Sequence, residues 1–382
     1  MSEVSTQTAS ICLVMHSFGG GGEKMALLLA RELARLGWSV HVACLRALPE
    51  LRDHMPEQVA LVMPKGPGLA DRLRFLPVLR SLTRSCQVVL GTLELQSLLA
   101  AALLAPGRAT GWLHKDLAAY LEDRPIWYVR LYRALCHLAF GRCRTVVCVS
   151  DGILASCQRF WPNVRGRFQR IYNGLDLDEI HRLAQGPLPA EVTEFFSHDA
   201  VVLGVGRLEP QKNFGLLLHA VALLKDRGLQ VRLCLAGEGS QRKELEAQVQ
   251  ALGLEGQVLL PGFVNPYPLM RRASVLALSS RFEGFALVLV EALALGLPVV
   301  SVDCPSGPAE VLAHGRFGLL VQASASGLAD GLHKTLVMRP DAREQARMAE
   351  RAADFAIGRI LSQWTCVLQE GLHGQERPEG QS

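Results

Sequence analysis

Apolar residues fall along the chain in short runs, and between most runs they recur at the three- and four-residue spacing of a helix face. The first run, Ile11 to Met15, is followed by HSFGGGG, a helical pattern from Glu23 to Leu36, Gly37, and a second run from Val40 to Leu45. Strand, glycine loop, helix and strand in that order predict a βαβ unit. Further strands are expected at Val59 to Met63, Gln87 to Gly91, Ala109 to Leu113 and Thr145 to Val149, with helices such as Glu94 to Leu104 and Pro125 to Phe140 between them. The pattern then lapses over 181–199, HRLAQGPLPAEVTEFFSHD, which is polar and holds two prolines. VVLGVGRL opens a second series, with strands at Val201 to Gly206, Val231 to Ala236, Val258 to Leu260, Val275 to Ser279 and Pro298 to Val302. Its helices are expected at Phe214 to Arg227, Gln241 to Leu252, Pro266 to Ala273 and Ala286 to Leu295. A final helix, Asp341 to Leu372, precedes a charged tail. Such alternation predicts α/β architecture with parallel sheets covered by helices. The expected domains are 1–185 and 186–340, with 341–382 a helix returning to the first domain, and a tail. A ligand is expected at the carboxyl ends of the strands.

Composition narrows the class. With 382 residues, 49% hydrophobic and 20% charged, the chain is neither disordered nor fibrous and can build two cores without disulfides. The longest unbroken apolar run, Leu98 to Ala105, is short of the ~18 residues of a membrane span. The start MSEVSTQTAS lacks the basic flank of a signal peptide. Ten cysteines lack metal-binding spacing and read as buried free thiols, which points to a cytoplasmic protein. The net charge of +4 conceals an asymmetry: residues 1–180 carry 21 Lys/Arg against 15 Asp/Glu.

Three segments carry candidate chemistry. Gly19 to Gly22 do not fit G-x-G-x-x-G, and the second strand ends in Leu45 and Arg46 rather than a ribose-binding acid, which disfavours a nicotinamide cofactor. Four glycines before a helix still allow backbone N–H groups to approach an anion. GRLEPQKN places Arg207 and Lys212 on a strand-to-helix loop, where a planar fork and a point charge suit a diphosphate. In RFEGFALVLVEALALGLPVV, Glu283 precedes a helix start and Glu291 stands within an apolar helix. A carboxylate among apolar neighbours needs a partner. The N–H groups of Phe285, Ala286 and Leu287 would lie at that helix N-terminus, open to phosphate or sugar oxygens.

The Gly-rich loop followed by Glu23, IYNGLDLD, GRLEPQKN, LAGEGSQRKELE, GFVN, the Glu283-x7-Glu291 segment and DCPSGPAEVL, in that order, resemble the retaining glycosyltransferases of family 4. The resemblance covers nearly the whole chain. It implies the GT-B fold, two Rossmann-like βαβ domains facing across a cleft. It also implies transfer of a hexose or N-acetylhexosamine from a nucleotide diphosphate sugar, UDP favoured over GDP, to a carbohydrate or lipid-linked hydroxyl. Carried over residue by residue, it gives Arg207 and Lys212 the donor diphosphate, Glu291 the ribose and Glu283 with Gly284 the transferred sugar. Gly20 and Gly21 would approach the phosphates from the other domain, Gly237, Glu238 and Val264 would line the base and ribose, and His114 would face the reacting sugar. No cofactor or obligatory metal is implied. PSGPAEVL is most similar to bacterial enzymes of surface polysaccharide and glycolipid synthesis, lipopolysaccharide included.

Two rival readings remain: a nucleotide-sugar epimerase of the same fold, and a non-catalytic nucleotide-sugar-binding scaffold. Nothing in the sequence suggests a nucleic-acid partner. Arg72, Arg74, Arg80 and Arg84 among leucines, with Pro77 opening a new helix turn, and Arg124, Arg130, Arg133, Arg142 and Arg144 near Trp127, Tyr128 and Tyr132, suggest peripheral contact with an anionic membrane surface. The competing expectation is that those leucines pack on the sheet and the arginines are only solvated.

Overall fold

The computed structural model describes residues 8–16, 20–92, 94–164, 167–197 and 200–373. The chain divides into two compact units, 1–174 with 358–382, and 175–357. In the first, a seven-stranded sheet runs in the order β3-β2-β1-β4-β5-β6-β7. Its strands are β1 Ser10–Met15, β2 Ser39–Cys44, β3 Val59–Val62, β4 Val88–Thr92, β5 Ala109–Leu113, β6 Thr145–Cys148 and β7 Arg167–Arg170. In the second unit, six strands run in the order β10-β9-β8-β11-β12-β13. They are β8 Val201–Val205, β9 Arg232–Ala236, β10 Val258–Gly262, β11 Val275–Leu278, β12 Val299–Val302 and β13 Leu319–Val321. Every pairing is parallel, as strands buried on both faces require.

Each sheet reverses its direction of growth once, at β1/β4 and at β8/β11, and a crevice opens at such a switch point beyond the carboxyl ends of the strands. The second core is built where Leu217, Leu218, Val221 and Leu224 of the helix Phe214–Asp226 meet Leu233 and Leu235 of β9. Burial of this kind contributes about 1.5–3 kcal/mol per large side chain.

Several boundaries differ from the sequence expectation. The first unit ends at Gly174 rather than near residue 185, and the polar stretch 181–199 belongs to the second unit, where it takes in the end of the helix Leu177–Leu183 and the whole of Ala190–Phe195. The reason is local: Leu175 N–H donates to Phe355 O (2.9 Å) and Ile357 N–H to Leu175 O (2.8 Å), so the two points of chain passage are tied together. His198 and Asp199 of that stretch lie outside the described residues. The single helix expected from Asp341 to Leu372 is two. Ala342–Ala353, begun by a capping box of Asp341 and Glu344, belongs to the second unit, and Ile357–His373 joins the first. Between them, Phe355 is buried against Phe285 and Ala356 pairs with Leu175. Pro77 opens no new turn but lies inside one helix, Leu69–Ser85. The carbonyl it deprives of a partner is that of the exposed Leu73, where water can replace the bond. The edge strands β7 and β13 were not expected, because RFQR lacks an apolar run and LLV is only three residues long. Nine cysteines are buried thiols outside any disulfide, as expected, whereas Cys366 is exposed.

Candidate functional site

The loop that leaves β8 is fixed on both sides. Gly206 N–H donates to Ala236 O (3.0 Å) and Leu208 N–H to Glu238 O (2.8 Å), which fastens the loop to the end of β9. Gly237 has φ +151°, and a Cβ on it would collide with the Gly206 carbonyl oxygen, so the approach of the two loops requires glycine. Glu209 accepts from Ser240 N–H (3.0 Å) and Oγ–H (2.8 Å), and these bonds hold its carboxyl below the usual range. On the other side Gln211 Nε2 donates to Phe282 O (2.9 Å), and Ser279 Oγ donates to Lys212 O (2.9 Å), so the β8 and β11 loops are joined across the switch point.

Lys212 and Glu283 meet there. Lys212 Nζ lies 2.6 Å from Glu283 Oε1, and Ser280 Oγ donates to the same oxygen at 2.6 Å. The two side chains are 17% and 8% exposed, so the pair is nearly removed from water. Both contacts fall on Oε1, and among the described residues Oε2 is the oxygen left for a ligand hydroxyl. Arg207, by contrast, is exposed on the same loop and holds no ion pair with a described residue. The family resemblance implies the diphosphate for Lys212 and the transferred sugar for Glu283; the structure brings the two together in one charge pair.

Beyond Glu283 the chain turns through buried Gly284, Phe285 and Ala286, the last in left-handed conformation (φ +59°), into the helix Leu287–Ala294. Gly307 (φ +100°) packs on this turn, where a Cβ would come 2.9 Å from Phe285 Cα. The turn leaves the Leu287 end of the helix without a side-chain cap. Glu291, the fifth of the helix's eight residues, is half-buried and accepts from Tyr267 Oη–H at 3.1 Å. Burial, then the Glu291 charge, push the Tyr267 phenol far above its ordinary range and keep it a donor. Glu238 is exposed and pairs with Arg242 (2.6 Å), and Val264 is half-buried. Tyr267, Ser280 and Ser240 were absent from the sequence reading, because only the loop contacts give these common residue types a role.

In the first unit, Gly20 precedes the helix Gly21–Arg35, and a Cβ on Gly20 would come 2.5 Å from Glu23 Oε2. A carboxylate thus already lies against this helix start. Gly19 lies outside the described residues. His114 follows β5, its ring 4.4 Å from that of Trp112, which meets Trp364 edge-on at 4.6 Å. Its Nε2 is buried without a hydrogen-bond partner among the described residues. Burial, reinforced by the Lys115 charge, pushes its pKa down to about 3, so the ring is neutral. Lys115 pairs with Glu94 (2.9 Å), and beside this pair Tyr120, Tyr128 and Tyr132 line a cavity of about 150 Å³. Sequence spacing had no means to assemble that cavity, since its walls come from three separate segments.

No group of three or more His, Cys, Asp or Glu side chains among the described residues is arranged to hold a metal ion. The chain does contain an Asp-x-Asp triplet, Asp176-Leu177-Asp178, contrary to the expectation that it has none; Asp176 accepts from Glu179 N–H (3.0 Å) as a helix cap.

Two parallel-sheet Rossmann-like units, one with a charged site at its switch point, define the class: a GT-B fold of the glycosyltransferase type. The family follows from the sequence models. Residues 19–179 match Glycosyltransferase Family 4 and residues 190–355 match Glycosyl transferases group 1, and the chain belongs to the glycosyltransferases these describe. Among curated relatives, it is 36% identical over 190 residues to the N-acetylgalactosamine-N,N'-diacetylbacillosaminyl-diphospho-undecaprenol 4-alpha-N-acetylgalactosaminyltransferase of Campylobacter jejuni, covering 48% of this chain and 49% of that one. It is 31% identical over 172 residues to the amylovoran biosynthesis glycosyltransferase AmsD of Erwinia amylovora, covering 44% and 47%. The chain thus spans about half the length of the curated relatives it matches. Among solved structures, Anabaena HepE in complex with UDP and glucose superimposes with a TM-score of 0.74 at 22% identity, over 95% of this chain and 100% of that one.

Proposed function

We propose that the protein transfers a hexose or N-acetylhexosamine from a UDP-sugar to a hydroxyl of a lipid-linked or polysaccharide acceptor, with retention at the anomeric carbon. The observation that carries this reading is the switch-point site of the second unit, where an exposed Arg207, with no ion pair among the described residues, stands on the same loop as a Lys212 already oriented by Glu283. Arg207 and Lys212 suit the diphosphate, and such preorganised charges are typically worth 10²–10³ in rate. Glu283 Oε2 and the N–H groups at Phe285 to Leu287 suit the transferred sugar, and Glu291, held by Tyr267, suits the ribose. HepE's complex with UDP and the Campylobacter relative's undecaprenol-linked acceptor favour the donor and acceptor classes named here.

In this reading the acceptor oxygen forms its bond to the anomeric carbon on the face from which the diphosphate departs. The bond from carbon to phosphate oxygen breaks, and the acceptor proton passes to the departing diphosphate. Neutral His114, half-buried just beyond β5, suits a place facing the reacting sugar without adding charge. The tyrosine-lined cavity at Lys115, about 150 Å³, suits part of an acceptor. A Glu283 nucleophile is less consistent with the site, because Lys212 and Ser280 both bind its Oε1.

Thermal stabilisation across a panel of UDP- and GDP-sugars tests the donor, since a ligand at about 100 times its Kd adds ~2.7 kcal/mol. Proton NMR of the product with a lipid-linked acceptor then reads the anomeric configuration. A changed sugar without any acceptor would indicate an epimerase, and donor binding without turnover a scaffold.

A further inference from the structure

Nine of the thirteen most exposed large apolar side chains among the described residues lie on three helices of the first unit. Leu95–Leu104 packs between Leu69–Ser85 and Ile126–Phe140, and all three connect strands added in one direction across the sheet, so they cover the same face. On the first helix Leu69, Leu73 and Leu76, 52–73% exposed, follow at helical spacing, and Arg72 and Arg80 continue their stripe. Trp127, Leu131 and Leu138 form a second stripe on the third helix, joined by Arg130. Leu103 lies between them, 52% exposed. The expectation that the leucines pack on the sheet holds only for Phe75, Leu79 and their neighbour Thr83, which are the buried residues of the first helix.

Charge identifies what covers this face. Arg72, Arg74, Arg80 and Arg84 are exposed and form no ion pair with a described residue, and Asp71 is the one acid within the three helices. Glu122 and Asp123 precede the third helix, and Arg133 partly turns inward to Phe160 O (3.2 Å). A water-facing surface does not keep so many large apolar groups together, and a self-complementary protein contact would need acids to meet the arginines. Apolar stripes flanked by arginine, with a tryptophan at the edge, match the depth profile of a bilayer surface rich in anionic headgroups.

We infer that this three-helix face of the first unit docks reversibly on an anionic lipid bilayer, with Trp127 and the leucine stripes entering the headgroup region and the arginines meeting lipid phosphates. No helix of the described residues is long and apolar enough to cross the membrane, so the contact lies in the interface plane. The inference stands on the exposed face alone and is independent of the proposed transfer reaction.

The test uses an internal reporter. Trp38, Trp112, Trp161 and Trp364 are buried, whereas Trp127 is 66% exposed, so an emission change on lipid binding reports that one ring. Full-length protein is titrated with vesicles of phosphatidylcholine, with and without phosphatidylglycerol. The expected result is a blue shift that grows with phosphatidylglycerol and shrinks with salt, and that disappears in Trp127→Phe while co-sedimentation persists. Arg72→Ser with Arg80→Ser is expected to weaken partitioning about thirtyfold, at roughly fivefold per cation. Equal partitioning to neutral and anionic vesicles, or no blue shift despite a folded protein by circular dichroism, would overturn the inference. So would a blue shift that depends on protein concentration without vesicles, which assigns the face to a second copy.

Discussion

Replacing Lys212 by Met leaves the Glu283 carboxylate, 8% exposed, with only the Ser280 hydroxyl on its Oε1 in place of a 2.6 Å ion pair. Removing one partner of a buried pair typically costs 3–5 kcal/mol, because the other charge stays desolvated. Lys212 is 17% exposed and Ser280 retains its bond, which places the cost near the lower end, about 3 kcal/mol. For a domain of this size that lowers the Tm by roughly 6–12 °C. Glu283→Gln should cost a similar amount, since it strands the Lys212 ammonium. The double variant removes both charges, so its cost should fall short of the two single costs together by on the order of 2 kcal/mol. Scanning calorimetry and urea titration of the four proteins measure this coupling. If the single effects add to within about 0.5 kcal/mol, the pair is not a coupled buried unit and the reasoning fails.

Arg207→Ala, in contrast, should reduce turnover by about 10²–10³ while leaving the Tm unchanged, because the side chain is exposed and has no ion pair among the described residues; steady-state kinetics beside a melting curve separates the two effects. Tyr267→Phe should raise the donor KM by up to about tenfold with little change in kcat, since the lost hydroxyl only orients Glu291; a change confined to kcat would contradict that role. His114 is neutral in the fold down to about pH 3 but protonates near 6.5 when unfolded, so the unfolded chain binds the extra proton between those values. Stability should therefore fall as pH drops below 6.5, and His114→Gln should flatten the slope between pH 6.5 and 5 by up to about 1.4 kcal/mol per unit in urea titrations. Gly237→Ala should prevent stable folding of the second unit, because its Cβ meets the Gly206 carbonyl; a wild-type melting temperature would show that the two loops separate easily.

The sequence alone determined the two βα series, the parallel strands and the order of the loops, because these follow from short-range periodicity. β8 and β9 are written plainly in VVLGV and RLCLA. It also marked Arg207 and Lys212 as cations on a strand-to-helix loop, and Glu283 and Glu291 as carboxylates in apolar text, where each needs a partner. Which partner each has was decided by the tertiary structure. Lys212 and Glu283 are 71 positions apart and meet because β8 and β11 are neighbours at the switch point, and Tyr267 reaches Glu291 from a different helix. Side-chain periodicity within a segment carries no record of which strands lie side by side. The same limit applied to the domain division, set by the Leu175 bonds to Phe355 and Ile357 rather than by the polar stretch after it. It applied also to the leucines of Leu69–Ser85, whose spacing fits a buried or an exposed stripe equally well. Only the packing of three helices on one sheet face decided that most of them meet solvent, because burial depends on the neighbours that a helix finds and not on its own pattern.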